Sequence, residues 1–245
     1  MPRYKLLIEY DGTPFSGWQA QSKHLGVQNV IMQAVEAFTG EAVKIGGAGR
    51  TDTGVHAVGQ VAHVDLAKNW NPERVRDALN AYMRDYPVCI LNAEKVDEDF
   101  DARFSAKARL YRYRILNRRP PPTLDLYRAW HVVAELDEDL MQKGADYLIG
   151  QHDFTTFRHA RCQSKSPVKN LDILRVKRKG EDLFVEACSK SFLHNQVRSI
   201  VGSLKLVGEG KQKPIWIKKI LEARDRKLCG ALAPACGLTL VRVDY

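Results

Sequence analysis

The chain has no run of about 18 consecutive apolar residues, which excludes a membrane-spanning helix as its organising element. Its opening residues, Met1-Pro2-Arg3-Tyr4-Lys5-Leu6-Leu7-Ile8-Glu9-Tyr10, place Lys5 and Glu9 inside the one apolar stretch there. The apolar core of a secretory leader does not accommodate such charges, so a cytoplasmic location without a membrane partner is expected. Cysteine is scarce: Cys89, Cys162, Cys188, Cys229 and Cys236 are odd in number, scattered and without a C-x-x-C pair. Reduced thiols fit that spacing better than a disulfide framework or a zinc site. Histidine forms no H-E-x-x-H or H-x-E motif, and His56 and His63 have no cysteine nearby, so no metal is expected. G-x-G-x-x-G and G-x-x-x-x-G-K-[ST] are also missing, as are short repeats and low-complexity segments, and no cofactor is expected.

What is present suits a folded protein. In 245 residues, 44% are hydrophobic and 27% charged, enough for one large domain or two modest ones built on a full core. Lys and Arg number 38 against 29 Asp and Glu, a formal charge of +9. That charge is unevenly placed. Residues 1 to 102 hold 10 basic and 14 acidic residues (net −4), whereas residues 103 to 245 hold 28 and 15 (net +13). A polyanionic partner is the natural inference, and a solvated basic surface is the alternative.

Periodicity predicts strands at 4 to 10, 42 to 48, Val58 to Leu66 and Val88 to Val96. It predicts helices from Val27 to Phe38, with Gly40 as the stop, and from an Asn71 cap through Pro72 to about Arg84. Further on come a strand at Lys107 to Leu116, an Asp137-capped helix ending at Gly150, and strands at 169 to 178 and 183 to 190. A helix from Ser191 to Val207, a shorter one after Pro214 and a strand at Leu238 to Val243 complete the set. The mixed order reads as α+β, two domains each with a mixed or antiparallel sheet backed by helices. By composition, Arg118-Arg119-Pro120-Pro121-Pro122 is the one candidate boundary.

Three constellations could carry chemistry. In Gly46-Gly47-Ala48-Gly49-Arg50-Thr51-Asp52-Thr53-Gly54-Val55-His56-Ala57 the glycines suggest a phosphate loop, but the residues that follow alternate like a strand instead of opening a helix. Arg50 and Asp52 project to the same side if the backbone is extended. A neighbouring guanidinium favours the ionised carboxylate, which suits a nucleophile or base and not a general acid. The alternative is an aspartate that caps its own turn, with Arg50 a structural partner.

Between Arg103 and Arg119 lie seven basic residues and no acidic one. On a strand, Lys107, Arg109, Tyr111 and Tyr113 share one face, and Arg112 and Arg114 take the other. Cations beside aromatics suit a flexible nucleic-acid strand, whereas buried tyrosines with edge arginines would be plain packing; a mixture puts Tyr113 in the core and Tyr111 at a site. In the helix from Ser191, the stripe Leu193, Val197, Ile200, Val201, Leu204 and Val207 is core. His194, Arg198 and Lys205 form a row at its margin, either reaching a cleft or solvated. Eight basic residues between Arg158 and Lys179, against Asp172 alone, broaden the positive surface.

Around the octet Gly49-Arg50-Thr51-Asp52-Thr53-Gly54-Val55-His56 stand Glu9-Tyr10-Asp11-Gly12, Gly17-Trp18-Gln19, Arg103-Phe104-Ser105-Ala106, Tyr111-Arg112-Tyr113-Arg114, His152-Asp153-Phe154-Thr155 and Val197-Arg198-Ser199-Ile200-Val201-Gly202, in order along nearly the whole chain. In these stretches the sequence resembles the tRNA pseudouridine synthase A family. The resemblance implies that Asp52 is the catalytic aspartate and Arg198 its basic partner. It implies that Arg50 engages the RNA backbone and holds a flipped nucleotide, that Tyr111 stacks on the target uracil, and that Leu238 is an apolar pocket wall. It further implies two α+β domains with a basic cleft between them: residues 1–105 with the aspartate loop and 106–245 with the basic surface. The assembly would be a homodimer, and the substrate uridine at positions 38 to 40 in the anticodon stem-loop of tRNA. Thr53 stands where the family commonly has alanine, and Met83-Arg84-Asp85-Tyr86-Pro87 replaces a more usual Leu-Pro turn; neither removes a catalytic group. A non-catalytic RNA binder using the same basic surface is the rival class, and a small-molecule phosphate enzyme built on the 46 to 54 loop is a weaker third.

Overall fold

A computed structural model describes residues 1–245. The chain is α+β, with ten strands and five α-helices, and it separates into two compact units, Met1–Lys107 with Thr239–Tyr245, and Ala108–Leu238. No helix is long and apolar enough to cross a membrane.

In the first unit, β1 (Arg3–Tyr10) pairs antiparallel with β3 (His56–Asp65) on one side and β4 (Val88–Val96) on the other. Tyr4, Leu6, Ile8 and Tyr10 alternate along β1 and are all buried, as the period of two requires. Helix α1 (Val27–Thr39) buries Val27, Val30, Ile31, Ala34 and Val35 and ends where Gly40 takes a φ of 75°, its N–H donating to the Glu36 carbonyl. Helix α2 (Pro72–Tyr82) starts at an Asn71 cap whose side chain accepts from the Glu73 N–H. The strand expected over 42 to 48 shrinks to β2 (Gly46–Gly47), paired with β3. Part of the reason is that the Ile45 carbonyl accepts from the Gln28 side chain of α1, at 2.7 Å, instead of from a neighbouring strand.

In the second unit, β5 (Ala108–Asn117) pairs antiparallel with β9 (Asp182–Ser189), and β9 with β8 (Val168–Lys179). Two short strands escaped the sequence pattern: β6 (Trp130–Val132), parallel to β5, and β7 (Gly150–Asp153), antiparallel to β8. Helix α3 (Glu138–Ala145), capped by Asp137, stops five residues before the expected Gly150, whose φ of 96° instead opens β7. Helix α4 (Gln196–Gly208) begins after Asn195, a left-handed residue at φ 65°, and not at Ser191. Its expected stripe, Leu193 through Val207, is buried throughout. Helix α5 (Ile215–Ala223) follows Pro214.

The last strand, β10 (Leu238–Asp244), pairs parallel with β3 through Thr239 and His56. That pairing is why Thr239–Tyr245 groups with the first unit, whereas the sequence division at 105/106 left it in the second. The proline run at 120–122 is a loop inside the second unit and not a boundary.

Candidate active site

Asp52 lies in the first unit, in the segment that connects β2 to β3. Its main-chain carbonyl accepts from the Val55 N–H at 3.1 Å, closing a turn in which Gly54 takes a φ of 77°. Thr51 anchors the segment: its hydroxyl lies 2.8 Å from the Tyr10 hydroxyl, and its carbonyl accepts from the Trp18 N–H at 3.1 Å. Thr51 is buried, Asp52 half-buried and Arg50 exposed. The aspartate therefore stands at the rim of a fixed turn, two residues from the exposed arginine.

The loop after β1 presses directly on this turn. A Cβ on Gly17, which has a φ of 95°, would lie 2.5 Å from the Thr51 carbonyl oxygen, and one on Gly12 would lie 2.0 Å from that of Val55. Both positions must be glycine for the two loops to touch. Gly12 also donates its N–H to His56 Nδ1 at 3.0 Å, and the Asp11 carboxylate lies 3.1 Å from the same nitrogen. Gln60 donates to the Gly49 carbonyl at 2.9 Å. In the sequence Gly12, Gly17 and Trp18 figure only within the stretches that carry the family resemblance, with no role of their own; their support of the aspartate turn is a finding of the fold.

Tyr111, Arg198 and Leu238 belong to the second unit. On β5 the residues Arg109, Tyr111 and Tyr113 share the face that the helices cover, and all are buried. Lys107, expected on that face, precedes the strand. The two tyrosines differ in their surroundings. Tyr113 is 0% exposed, its hydroxyl donates to the Pro234 carbonyl at 2.7 Å, and Trp130 meets its ring edge-on. Burial pushes its phenol far above the ordinary range, while the nearby Arg198 cation acts in the opposite sense. Tyr111 retains 8% exposure and meets Phe192 edge-on at 5.3 Å between ring centroids. Arg109 donates to the Lys190 carbonyl, so it serves the fold.

Arg198 sits in the first turn of α4, half-buried. Its Nε donates to the Ala233 carbonyl at 2.8 Å and one terminal nitrogen lies 3.3 Å from the Asn195 side-chain oxygen, so the guanidinium is aimed by two fixed acceptors. Its expected companions in the marginal row differ from it: His194 is exposed and meets the His159 ring at a tilt, 4.6 Å between centroids, and Lys205 pairs with Glu209. Leu238, 6% exposed, opens β10 after a turn of 3-10 helix at Ala235–Gly237. Thus Arg50 and Asp52 share one turn of the first unit, and Tyr111, Arg198 and Leu238 lie on neighbouring parts of the second.

The family model described as tRNA pseudouridine synthase matches residues 6–105 and 145–245, portions of both units. A protein of Paramagnetospirillum magneticum named tRNA pseudouridine synthase A is 57% identical over 245 residues, covering all of this chain and 96% of that one. Proteins of the same name from Azorhizobium caulinodans and Xanthobacter autotrophicus are 56% and 54% identical over this whole chain, covering 95% and 100% of their own length. With one family model matching both units and relatives more than half identical from end to end, this chain belongs to the tRNA pseudouridine synthase family.

Proposed function

We propose that this enzyme converts uridine to pseudouridine at positions 38 to 40 in the anticodon stem-loop of tRNA, with Asp52 as its nucleophile. The reaction breaks a C–N glycosidic bond, rotates the freed uracil and joins its C5 to the ribose C1′; the C5 proton is released and N1 takes up a proton, so the atoms balance. No electron leaves or enters and no group is donated, so the chemistry asks for a carboxylate and a shaped pocket. The carboxylate adds either to C6 of the uracil, and is eliminated after the new bond has formed, or to C1′ of the ribose, and is displaced as C5 bonds to that carbon.

A uridine within a stem is out of reach until it is extruded. In this reading Arg50, exposed two residues from Asp52, takes the backbone phosphate of the extruded nucleotide, and the Tyr111 ring stacks on its base. The family resemblance gives Arg198 the role of the aspartate's basic partner and Leu238 that of an apolar wall. The family resemblance also carries a homodimer working in the cytoplasm.

One observation supports this reading most: the octet Gly49 to His56 forms a braced turn with the aspartate at its rim, so the nucleophile is held before substrate arrives. The test is tritium release from tRNA labelled at C5 of uridine, with the modified positions then mapped in the product. Release confined to positions 38 to 40 is expected. A protein that binds tRNA and releases no label would be the rival RNA binder.

A further inference from the structure

The second unit's sheet has two faces of opposite character. On one, Tyr111, Tyr113, Val185, Ala187, Leu174 and Val176 are buried. On the other, the antiparallel register aligns three rows across β5, β9 and β8: Arg112 with Glu186 and Arg175, Arg114 with Phe184 and Lys177, and Leu116 with Asp182 and Lys179.

The acidic residues of these rows are already engaged from the β5 side. Arg112 binds Glu186 at 2.8 Å and lies over the Phe184 ring at 5.7 Å, and Arg114 binds both Asp182 and Asp125 at 2.9 Å. Arg175, Lys177 and Lys179 are exposed and make no ion pair. As alternate residues of one strand they stand about 6.7 Å apart, on the scale of successive phosphates in a nucleic-acid strand.

We propose that this face binds the sugar-phosphate backbone of RNA, at a segment of the substrate other than the one reaching Tyr111 and Arg198. This rests on the reading of the chain as a tRNA enzyme, and adds a docking surface on the sheet face away from those residues. A second copy of the same face would set like charges against one another. The even repetition of cations along an extended strand matches a polymer with one charge per nucleotide, whereas carboxylates on a protein surface are irregularly spaced.

The test compares the protein with a variant carrying Arg175→Gln, Lys177→Gln and Lys179→Gln, titrated with full-length tRNA and with the isolated anticodon stem-loop over a range of salt. The variant is expected to bind full-length tRNA about tenfold more weakly at low salt, with a log-log salt slope shallower by about 2 to 3. Its affinity for the stem-loop should stay within about twofold of the unsubstituted protein. Lys177→Gln alone should lower the slope by about 0.7 to 0.9, a reading that survives if the triple variant folds poorly. Unchanged tRNA affinity, as expected of a face that receives an acidic protein, would overturn the proposal; so would an equal loss with the stem-loop. The isomerase reading fails separately, through tRNA binding without tritium release by the unsubstituted protein.

Discussion

At the scale of single residues, two tyrosines two positions apart on one strand face have different surroundings. Tyr113 is sealed in, with its hydroxyl on the Pro234 carbonyl. Removing that hydroxyl leaves a buried acceptor without its partner, so Tyr113→Phe should cost about 1 to 3 kcal/mol of stability. Tyr113→Ala should cost about 3 to 5. Thermal or denaturant unfolding checks both, and tRNA affinity measured below the transition should hardly move. Tyr111 should behave in the reverse manner. Tyr111→Phe keeps the ring and should bind tRNA normally, whereas Tyr111→Ala should lose about 1 to 3 kcal/mol of base stacking. A Phe variant that binds well but turns over slowly in single-turnover assays would give the hydroxyl a part in moving the C5 proton. Arg198→Ala should slow the chemical step strongly at saturating tRNA, and Arg198→Lys less, because lysine restores the charge but not the Nε donor held by Ala233. An unchanged rate for the alanine variant would return Arg198 to a structural role.

At the scale of elements, the aspartate turn is shaped by a loop some thirty-five residues earlier in the sequence. Gly17→Ala places a methyl 2.5 Å from the Thr51 carbonyl at a φ of 95°, so the turn must shift. The expected result is a loss of turnover larger than the loss of tRNA affinity, read as kcat against Kd for the purified variant. Such support was hard to read in sequence because it depends on which two loops touch. The regular elements are legible: β1 alternates, α1 and α2 carry apolar residues at helical spacing with Gly40 and Asn71 at their ends, and β8 and β9 flank a turn at Gly180-Glu181. Strands β6 and β7, of three and four residues, are too short for a period to show. The start of α4 was misplaced because Ser191 to Asn195 carry apolar residues at helical spacing, while Ser189 and Asn195 direct the main chain elsewhere. Within the candidate site, the octet around Asp52 was legible as a pattern. The covering of the Arg109–Tyr111–Tyr113 face was not, since alternation alone does not say which face a helix takes.

At the scale of the whole molecule, the +13 of residues 103 to 245 is the property that most directly concerns a polyanion. Binding to tRNA should weaken steeply with salt, at a log-log slope of roughly −0.7 to −0.9 for each phosphate contacted, and a flat dependence in a filter-binding or anisotropy titration would refute the polyanion reading. In the proposed function, the charge gives affinity and the chemistry rests on one carboxylate. The most direct measurement of the central claim is therefore tritium release from tRNA labelled at C5 of uridine, run with the unsubstituted protein and with Asp52→Asn at matched tRNA saturation. The account predicts full release by the former and none by the latter, with tRNA affinity held within a few-fold because the substitution changes little surface. Appreciable release by Asp52→Asn would contradict it.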